Sequence, residues 1–275
     1  MPQKIILSQD ITNNIVNKYI GGMSSANVAK EFGYSKPFIL NVLNTNNIQK
    51  RKKSDYETRK YAIDDFAFDN LSEKSYYWLG MLCSDGCVEK DRNRVILQLN
   101  YLDYEHVIKY QQFLKTDNKV FMKSRKEECR TKPFAELRFH SKHIVQTLKS
   151  YGITSRKSLT VDPTVDLTVS KHFWRGMIDG DGCLSVDRSR GHFYPIIQLC
   201  GSEHVLDSYI KFIKNNVYNK FDPTLYHKYN NEFTSASVEG KVAFDIIKYL
   251  YKDSLVYLNR KYDLFLYYGE VYCGD

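Results

Sequence analysis

Tyr77-Trp78-Leu79-Gly80-Met81-Leu82-Cys83-Ser84-Asp85-Gly86 reads as an apolar helix that stops at an acid and a glycine. A second copy follows as Phe173-Trp174-Arg175-Gly176-Met177-Ile178-Asp179-Gly180-Asp181-Gly182. Small residues recur four apart, Gly80 with Ser84 and Gly176 with Gly180. Glycine is poor in helix interiors and needs a packing reason to be there, which a close helix pair along one face supplies. The glycine after each acid can take the left-handed conformation that ends a helix.

Asp85 and Asp181 thus fall at helix C-termini, where the macrodipole disfavours negative charge by roughly 0.3–1 kcal/mol. If the helices pack side by side in parallel, the two carboxylates also face each other at the same end. A divalent cation between them removes the conflict. A local rule broken twice in the same way points to a site. The likeness runs on beyond the phrase. Cys87-Val88-Glu89-Lys90-Asp91-Arg92-Asn93-Arg94 aligns without a gap to Cys183-Leu184-Ser185-Val186-Asp187-Arg188-Ser189-Arg190, and both lead into Ile-Leu-Gln-Leu (96–99) or Ile-Ile-Gln-Leu (196–199).

The two phrases resemble the LAGLIDADG motifs of the homing endonuclease family, in the single-chain form that carries both copies. Trp78 and Trp174 stand for the first Leu, Gly80 and Gly176 for the first Gly, and Asp85 and Asp181 for the last, metal-binding acid. Cys83 departs from the motif's first Asp, which Asp179 keeps; in the family that earlier acid is not the metal ligand. The resemblance covers residues 60–270.

The 275 residues suffice for one large or two modest domains. A net charge of +8 suggests a polyanionic partner, nucleic acid or membrane surface. No apolar run approaches the ~20 residues of a membrane span, and Met1 to Asp10 lacks a signal-peptide core, so a soluble, intracellular protein is expected. The cysteines at 83, 87, 129, 183, 200 and 273 form no Cys-x-x-Cys pair and have no histidine at zinc-ligand spacing, which predicts reduced thiols.

Residues 8–45 read as three short helices. Ser8 and Ser25 can cap the first two, Gly21-Gly22 ends the first, Gly33-Tyr34-Ser35 makes a turn, and Ser35-Lys36-Pro37 starts the third. This is helix-turn-helix spacing, and it resembles the DNA-binding tail of invertases and resolvases. Docked as that motif docks, it would present Tyr34, Ser35, Lys36 and Asn41 to DNA. Lys50 and Arg51 open a basic run suited to tracking phosphates. Ser72 can cap the first motif helix. After Gly86 the pattern turns to strands, with a hairpin at 88–101, helix at 105–114, strands at 120–123 and 135–139, and helix at 142–151. The second copy repeats the plan with a hairpin at 183–200, helix at 203–214, strands near 223–238 and helix at 240–250.

The fold class expected is therefore α+β: tandem, pseudo-twofold αββαββα LAGLIDADG repeats forming a DNA-binding saddle, preceded by a small all-α helix-turn-helix domain. The expected domains are 1–53, helix-turn-helix with basic arm; 54–70, linker; 71–162, repeat one; and 163–275, repeat two. Sheets with one face on helices and one free, charged face suit the DNA major groove. Arg92, Arg94, Gln98, Arg125 and Arg138 in repeat one, with Arg188, Arg190, Gln198, His227 and Lys228 in repeat two, are the candidates for that face.

Phosphodiester hydrolysis needs an activated water, a neutralised phosphate and help for the leaving oxygen, all of which carboxylate-bound divalent metals supply. Mg²⁺ takes one or two carboxylates, so Asp85 and Asp181 suffice. The resemblance implies further ligation by the carbonyls of Ser84 and Gly180. It places Gln98 and Gln198 behind the acids to hold the water network. It places a basic residue late in each repeat, Lys157 and Lys261, to stabilise developing phosphate charge. The expectation is a monomeric, Mg²⁺-dependent DNA endonuclease with double-stranded DNA as partner and no membrane or obligate protein partner. It would make a staggered break in a long, nearly asymmetric site. The alternative is a non-cleaving DNA- or RNA-binding protein on the same scaffold, a transcriptional regulator or an intron maturase.

Overall fold

The computed structural model describes residues 7–21, 23–49, 61–123, 133–154, 162–188, 193–228 and 233–273. The chain divides into two compact units, Met1–Lys60 and Tyr61–Asp275.

The first unit packs three helices, α1 (Gln9–Ile20), α2 (Ser25–Phe32) and α3 (Lys36–Thr45). Ile15, Tyr19, Val28, Ala29, Ile39 and Leu43 make its core. Ser8 and Ser35 cap α1 and α3 by accepting from the amides of Ile11 and Phe38. Ser24, not Ser25, caps α2, and Ser25 is the buried first helical residue. Gly33 ends α2 at φ 70°, a left-handed value that glycine adopts without strain.

The second unit holds α4 (Glu73–Ser84), β1 (Gly86–Glu89), β2 (Arg94–Asn100), α5 (Tyr104–Phe113), β3 (Phe121–Lys123), β4 (Phe134–His140) and α6 (Lys142–Ser150). A single-turn helix α7 (Val165–Thr168) leads to the second round: α8 (Lys171–Asp181), β5 (Gly182–Asp187), β6 (Tyr194–Gly201), α9 (Glu203–Asn216), β7 (Thr224–Lys228), β8 (Phe233–Glu239) and α10 (Gly240–Tyr251). Helix α11 (Asn259–Cys273) closes the described chain. The αββαββα order thus occurs twice; α7 and α11 are additions that the sequence pattern did not suggest.

Each round forms one antiparallel sheet, with strand orders β1-β2-β4-β3 and β5-β6-β8-β7. Strand alternation puts Val95, Leu97 and Leu99 with Ala135, Leu137 and Phe139 into the core of repeat one, and Ile197, Leu199 and Ala236 into that of repeat two. These belong to one continuous apolar core shared by both repeats. The opposite face of each sheet is the open one.

The register separates the two Ile-x-Gln-Leu runs that follow the ungapped match. Gly86 pairs with Leu97, and its counterpart Gly182 pairs with Leu199. The second hairpin is longer: pairing runs on through Val186 with Pro195 and Asp187 with Tyr194, whereas the first closes at Glu89 with Arg94. Leu97 and Leu199 are therefore the equivalent residues. Gln98 matches Cys200, and Gln198 matches Ile96, so the two Ile-x-Gln-Leu runs are similar in letters and out of phase in space.

The segment expected as linker packs on the body from residue 61 onward. Phe68 is fully buried, the Asp64 amide donates to the Leu114 carbonyl (2.8 Å), and the Ala62 amide to Asp117 (2.7 Å). Residues 54–60 lie outside the described ones.

Candidate active site

The two motif helices meet at their glycines. A Cβ on Gly80 would strike the Phe173 carbonyl oxygen and come within 3.1 Å of the Gly176 Cα; one on Gly176 would strike the Tyr77 carbonyl and come within 3.1 Å of the Gly80 Cα. The reciprocity is that of a pseudo-twofold axis running between α4 and α8. One turn further, a Cβ on Gly180 would overlap the Ser84 side chain and lie 3.0 Å from Asp85 Oδ2. The axis therefore brings the C-terminal ends of both helices together, with Asp85 as the C-cap of α4 and Asp181 as the last residue of α8. Both acids are exposed.

Gly86 and Gly182 do not end the helices by a left-handed turn. Gly182 is extended at φ −86°, ψ 164°, and Gly86 is absent from the positive-φ residues. Each is required for room instead: a Cβ would sit 2.6 Å from the Leu82 carbonyl oxygen or 2.5 Å from that of Ile178. The strands can then start directly beneath the helix ends.

Under the acids lies a buried polar network. Asp179 accepts from the Tyr77 hydroxyl (2.6 Å), the Tyr251 hydroxyl (2.6 Å) and the Leu258 amide (2.8 Å). Burial raises its pKa, a shift opposed by the Lys261 charge and by these donors. Tyr77 gives its proton to Asp179, so the bond between Tyr77 Oη and His106 Nε2 (2.8 Å) has the imidazole as donor. Nδ1 of His106 is then the bare nitrogen, buried with no partner. Burial holds this histidine neutral, with its pKa pushed down to about 3.

Lys261 belongs to this network rather than to the open surface. It is 3% exposed and donates to the carbonyls of Ile178 (2.5 Å), Asp179 (3.0 Å) and Gly182 (2.7 Å). Its three N–H donors are all used on the last turn of α8, where its charge offsets the macrodipole beneath Asp181. Burial lowers its pKa against the pull of Asp179. Lys157 lies outside the described residues. Arg175, in the middle of α8, is fully buried and donates to Glu73 of α4 (2.7 Å) and to the carbonyls of Val256 and Leu250. Nothing in the local pattern marked Glu73, Tyr251 or His106; the one available signal was a charge, Arg175, inside an otherwise apolar helix.

On the open face Gln98 is exposed and sits one step beyond the Gly86–Leu97 pair. Gln198 is half-buried, pairs with Cys183, and donates to the Ser235 hydroxyl (2.8 Å). Arg92 and Arg94 both reach Glu89, Arg92 at 3.7 Å and exposed, Arg94 largely covered. The Arg94 hydrogen bond holds the Glu89 carboxyl below its usual range. Arg138 bonds Glu136 (2.6 Å). Arg188 is exposed with its guanidinium over the Phe193 ring, and His227, beside Lys228 on edge strand β7, bonds Thr234 (3.1 Å). Arg125 and Arg190 are not among the described residues.

In the N-terminal unit Tyr34 packs at a tilt against Phe38 (ring centroids 4.8 Å) and is half-buried, Ser35 is occupied as the α3 cap, and Lys36 and Asn41 are exposed. Lys50 and Arg51 fall outside the described residues.

The donor set at the helix ends fits a hard divalent cation. Two exposed carboxylates, with backbone carbonyl oxygens preceding them at Ser84 and Gly180, offer oxygen alone, and Mg²⁺ takes one or two carboxylates. Among the described residues no cluster of three or more His, Cys, Asp or Glu side chains is placed to hold a metal, so an all-side-chain cage is not what this site offers.

No protein-family model and no curated protein matches the chain. Solved structures do. The LAGLIDADG homing endonuclease I-GzeII, in complex with DNA target, is similar at a TM-score of 0.50 and 10% identity, over 74% of this chain and 90% of that one. I-LtrWI, bound to target DNA, gives 0.49 and 12% over 74% and 91%; I-AabMI, bound to uncleaved DNA, gives 0.49 and 13% over 74% and 92%. The chain has the LAGLIDADG homing-endonuclease fold, with both repeats in one polypeptide. Among the described residues no helix is long and apolar enough to cross a membrane.

Proposed function

We propose that the chain is a site-specific, Mg²⁺-dependent DNA endonuclease that makes a staggered double-strand break, with Asp85 and Asp181 as the carboxylates of its centre. The observation that carries this reading is the meeting of two exposed acids at the same end of one helix pair, where Gly180 touches Ser84 and approaches Asp85. Both acids stand exposed at helix C-termini above the Lys261 charge, and a divalent cation between them would balance the pair. The fold shared with I-GzeII supports double-stranded DNA as the substrate.

Bound there, a divalent cation would lower the pKa of water and neutralise the phosphate. The chain's own residues do the rest. Asp85 and Asp181, with the carbonyls of Ser84 and Gly180, would hold the ion. Lys261 fixes the last turn of α8 so that Asp181 cannot drift. Gln98, exposed one step beyond the Gly86–Leu97 pair, would orient a water by its amide. The open sheet faces, through Arg92, Arg138, Arg188 and His227, would bind the duplex, most of these side chains reaching phosphates. In the N-terminal unit Lys36 and Asn41 of α3 would extend the footprint.

Incubation of the protein with a randomised duplex library and Mg²⁺, followed by sequencing of the cut ends, tests the reading. It predicts one enriched, nearly asymmetric site with staggered ends, and none when the cation is chelated. DNA retained but never cut under any divalent cation would favour a binding protein and overturn it.

A further inference from the structure

The two hairpins lead away from the acids over different lengths. Strands β1 and β5 start at Gly86 and Gly182, directly after Asp85 and Asp181. In repeat one the last pair is Glu89 with Arg94, three residues beyond Gly86, and the chain then turns back through a short 3-10 helix, Lys90–Arg92. In repeat two pairing continues to Asp187 with Tyr194, five residues beyond Gly182. A strand rises about 3.4 Å per residue, so the second ribbon stays paired about 7 Å further from its acid. The far ends also differ in charge. Arg92 and Arg94 both lie within ion-pair distance of Glu89, and the position of Glu89 is held in repeat two by Ser185. At the end of the longer ribbon Arg188 is exposed, with its guanidinium 5.8 Å from the Phe193 ring centroid. Tyr194 is 39% exposed, and its pairing with Asp187 puts it on the open face, since Leu184 and Ile197 mark the buried one.

We infer that the two halves of the DNA site are unequal: the end of the longer ribbon, Arg188 with Tyr194, engages about two base pairs beyond the reach of repeat one, each base pair adding about 3.4 Å along the duplex. The inference rests on double-stranded DNA as the substrate. A two-stranded ribbon fits along the major groove, so a longer one covers more of it. Arg188 brings a cation to the phosphates, and Tyr194 offers base edges a hydroxyl and an apolar ring of the kind that meets a thymine methyl. Repeat one turns back before that point, and its arginines are already partnered by Glu89.

The test is selection by binding alone, with the full chain, a randomised duplex library and no divalent cation, followed by cutting of the selected duplex in Mg²⁺ to mark its centre. Wild type should specify about two more base pairs on one side of the cut than on the other. A graft in which residues 186–195 give way to the Lys-Asp-Arg-Asn turn of the first hairpin, so that Ser185 and Ile196 close the ribbon, should lose the outer positions at that end and keep the rest of the site. Tyr194→Ala leaves the ribbon its length; it should erase base preference at the same end and lower affinity for the wild-type site at least about fivefold, the cost of one mismatched pair. A misfolded variant loses every position, so a loss confined to one end reports the ribbon. Half-sites of equal length in the wild type, or outer positions untouched by both variants, overturn the inference and leave the nuclease reading standing. A site trimmed at one end by the graft, in a protein that cuts nothing, upholds it and removes the nuclease reading. Enrichment of no sequence removes both.

Discussion

Asp179 and Asp181 are two residues apart and have opposite environments. Asp181 is exposed at the helix end, while Asp179 is 2% exposed and takes three hydrogen bonds from the body around it. Its place in repeat one is taken by Cys83, also buried, so a carboxylate there serves packing in one repeat and is dispensable in the other. His106 ends the same chain of bonds, and its neutral state carries a pH dependence. Its folded pKa, about 3, lies below the ordinary 6.5, so the unfolded chain binds its proton first. The stabilisation is complete above pH 6.5 and is lost as the pH falls toward 3, at up to about 1.4 kcal/mol per pH unit. Urea unfolding at pH 7, 6 and 5 should show this slope in the wild type and a shallower one in His106→Phe; equal slopes would contradict the assignment. The glycines of both motifs were legible as close-packing positions because steric fit depends on residue type and spacing alone. The partners of Asp179 and His106 were not, because Tyr251 and Leu258 lie 72 and 79 residues from Asp179 in sequence and no local pattern announces them.

Helices α4 and α8 show how an element can be set by its neighbour rather than by its own propensity. Each carries a glycine mid-helix at a cost of about 1 kcal/mol relative to alanine, offset by the close approach it permits. Ser72 and Ser75 close a capping box on α4, and Arg175 ties α8 to Glu73 at the α4 N-terminus. Strand identity was readable from alternation, strand register was not. Matching the repeats by letters put Gln98 and Gln198 in phase, and the longer second hairpin moves them two residues apart along the sheet. A period-two pattern looks the same after a shift of two, so only the pairing decides. The three-helix N-terminal unit has its own core, and its proposed contribution is measurable apart from the body. Removing residues 1–50 should weaken DNA binding and flatten its salt dependence by about 0.9 log units for each phosphate that the unit neutralises in the full chain. An unchanged salt slope would show that this unit does not hold DNA.

At the scale of the body, two sheets and their helices share one core, and the C-terminal segment sews the repeats together. Lys109 of α5 donates to the Tyr257 carbonyl (3.0 Å) and to Asn259 (2.7 Å), while Arg260 reaches Asp103 (3.1 Å). These bonds join repeat one to the start of α11, the helix that also delivers Lys261 to the end of α8. The result is a rigid frame around two exposed acids at the ends of α4 and α8. The account stands on those acids acting together. A plasmid bearing the selected site, incubated with Mg²⁺ and resolved on a gel over time, tests this most directly. Wild type should linearise it. Asp85→Asn and Asp181→Asn should each retain DNA binding and fail to make the double-strand break, with rates down by at least about a hundredfold. Undiminished linearisation by both variants would contradict the account.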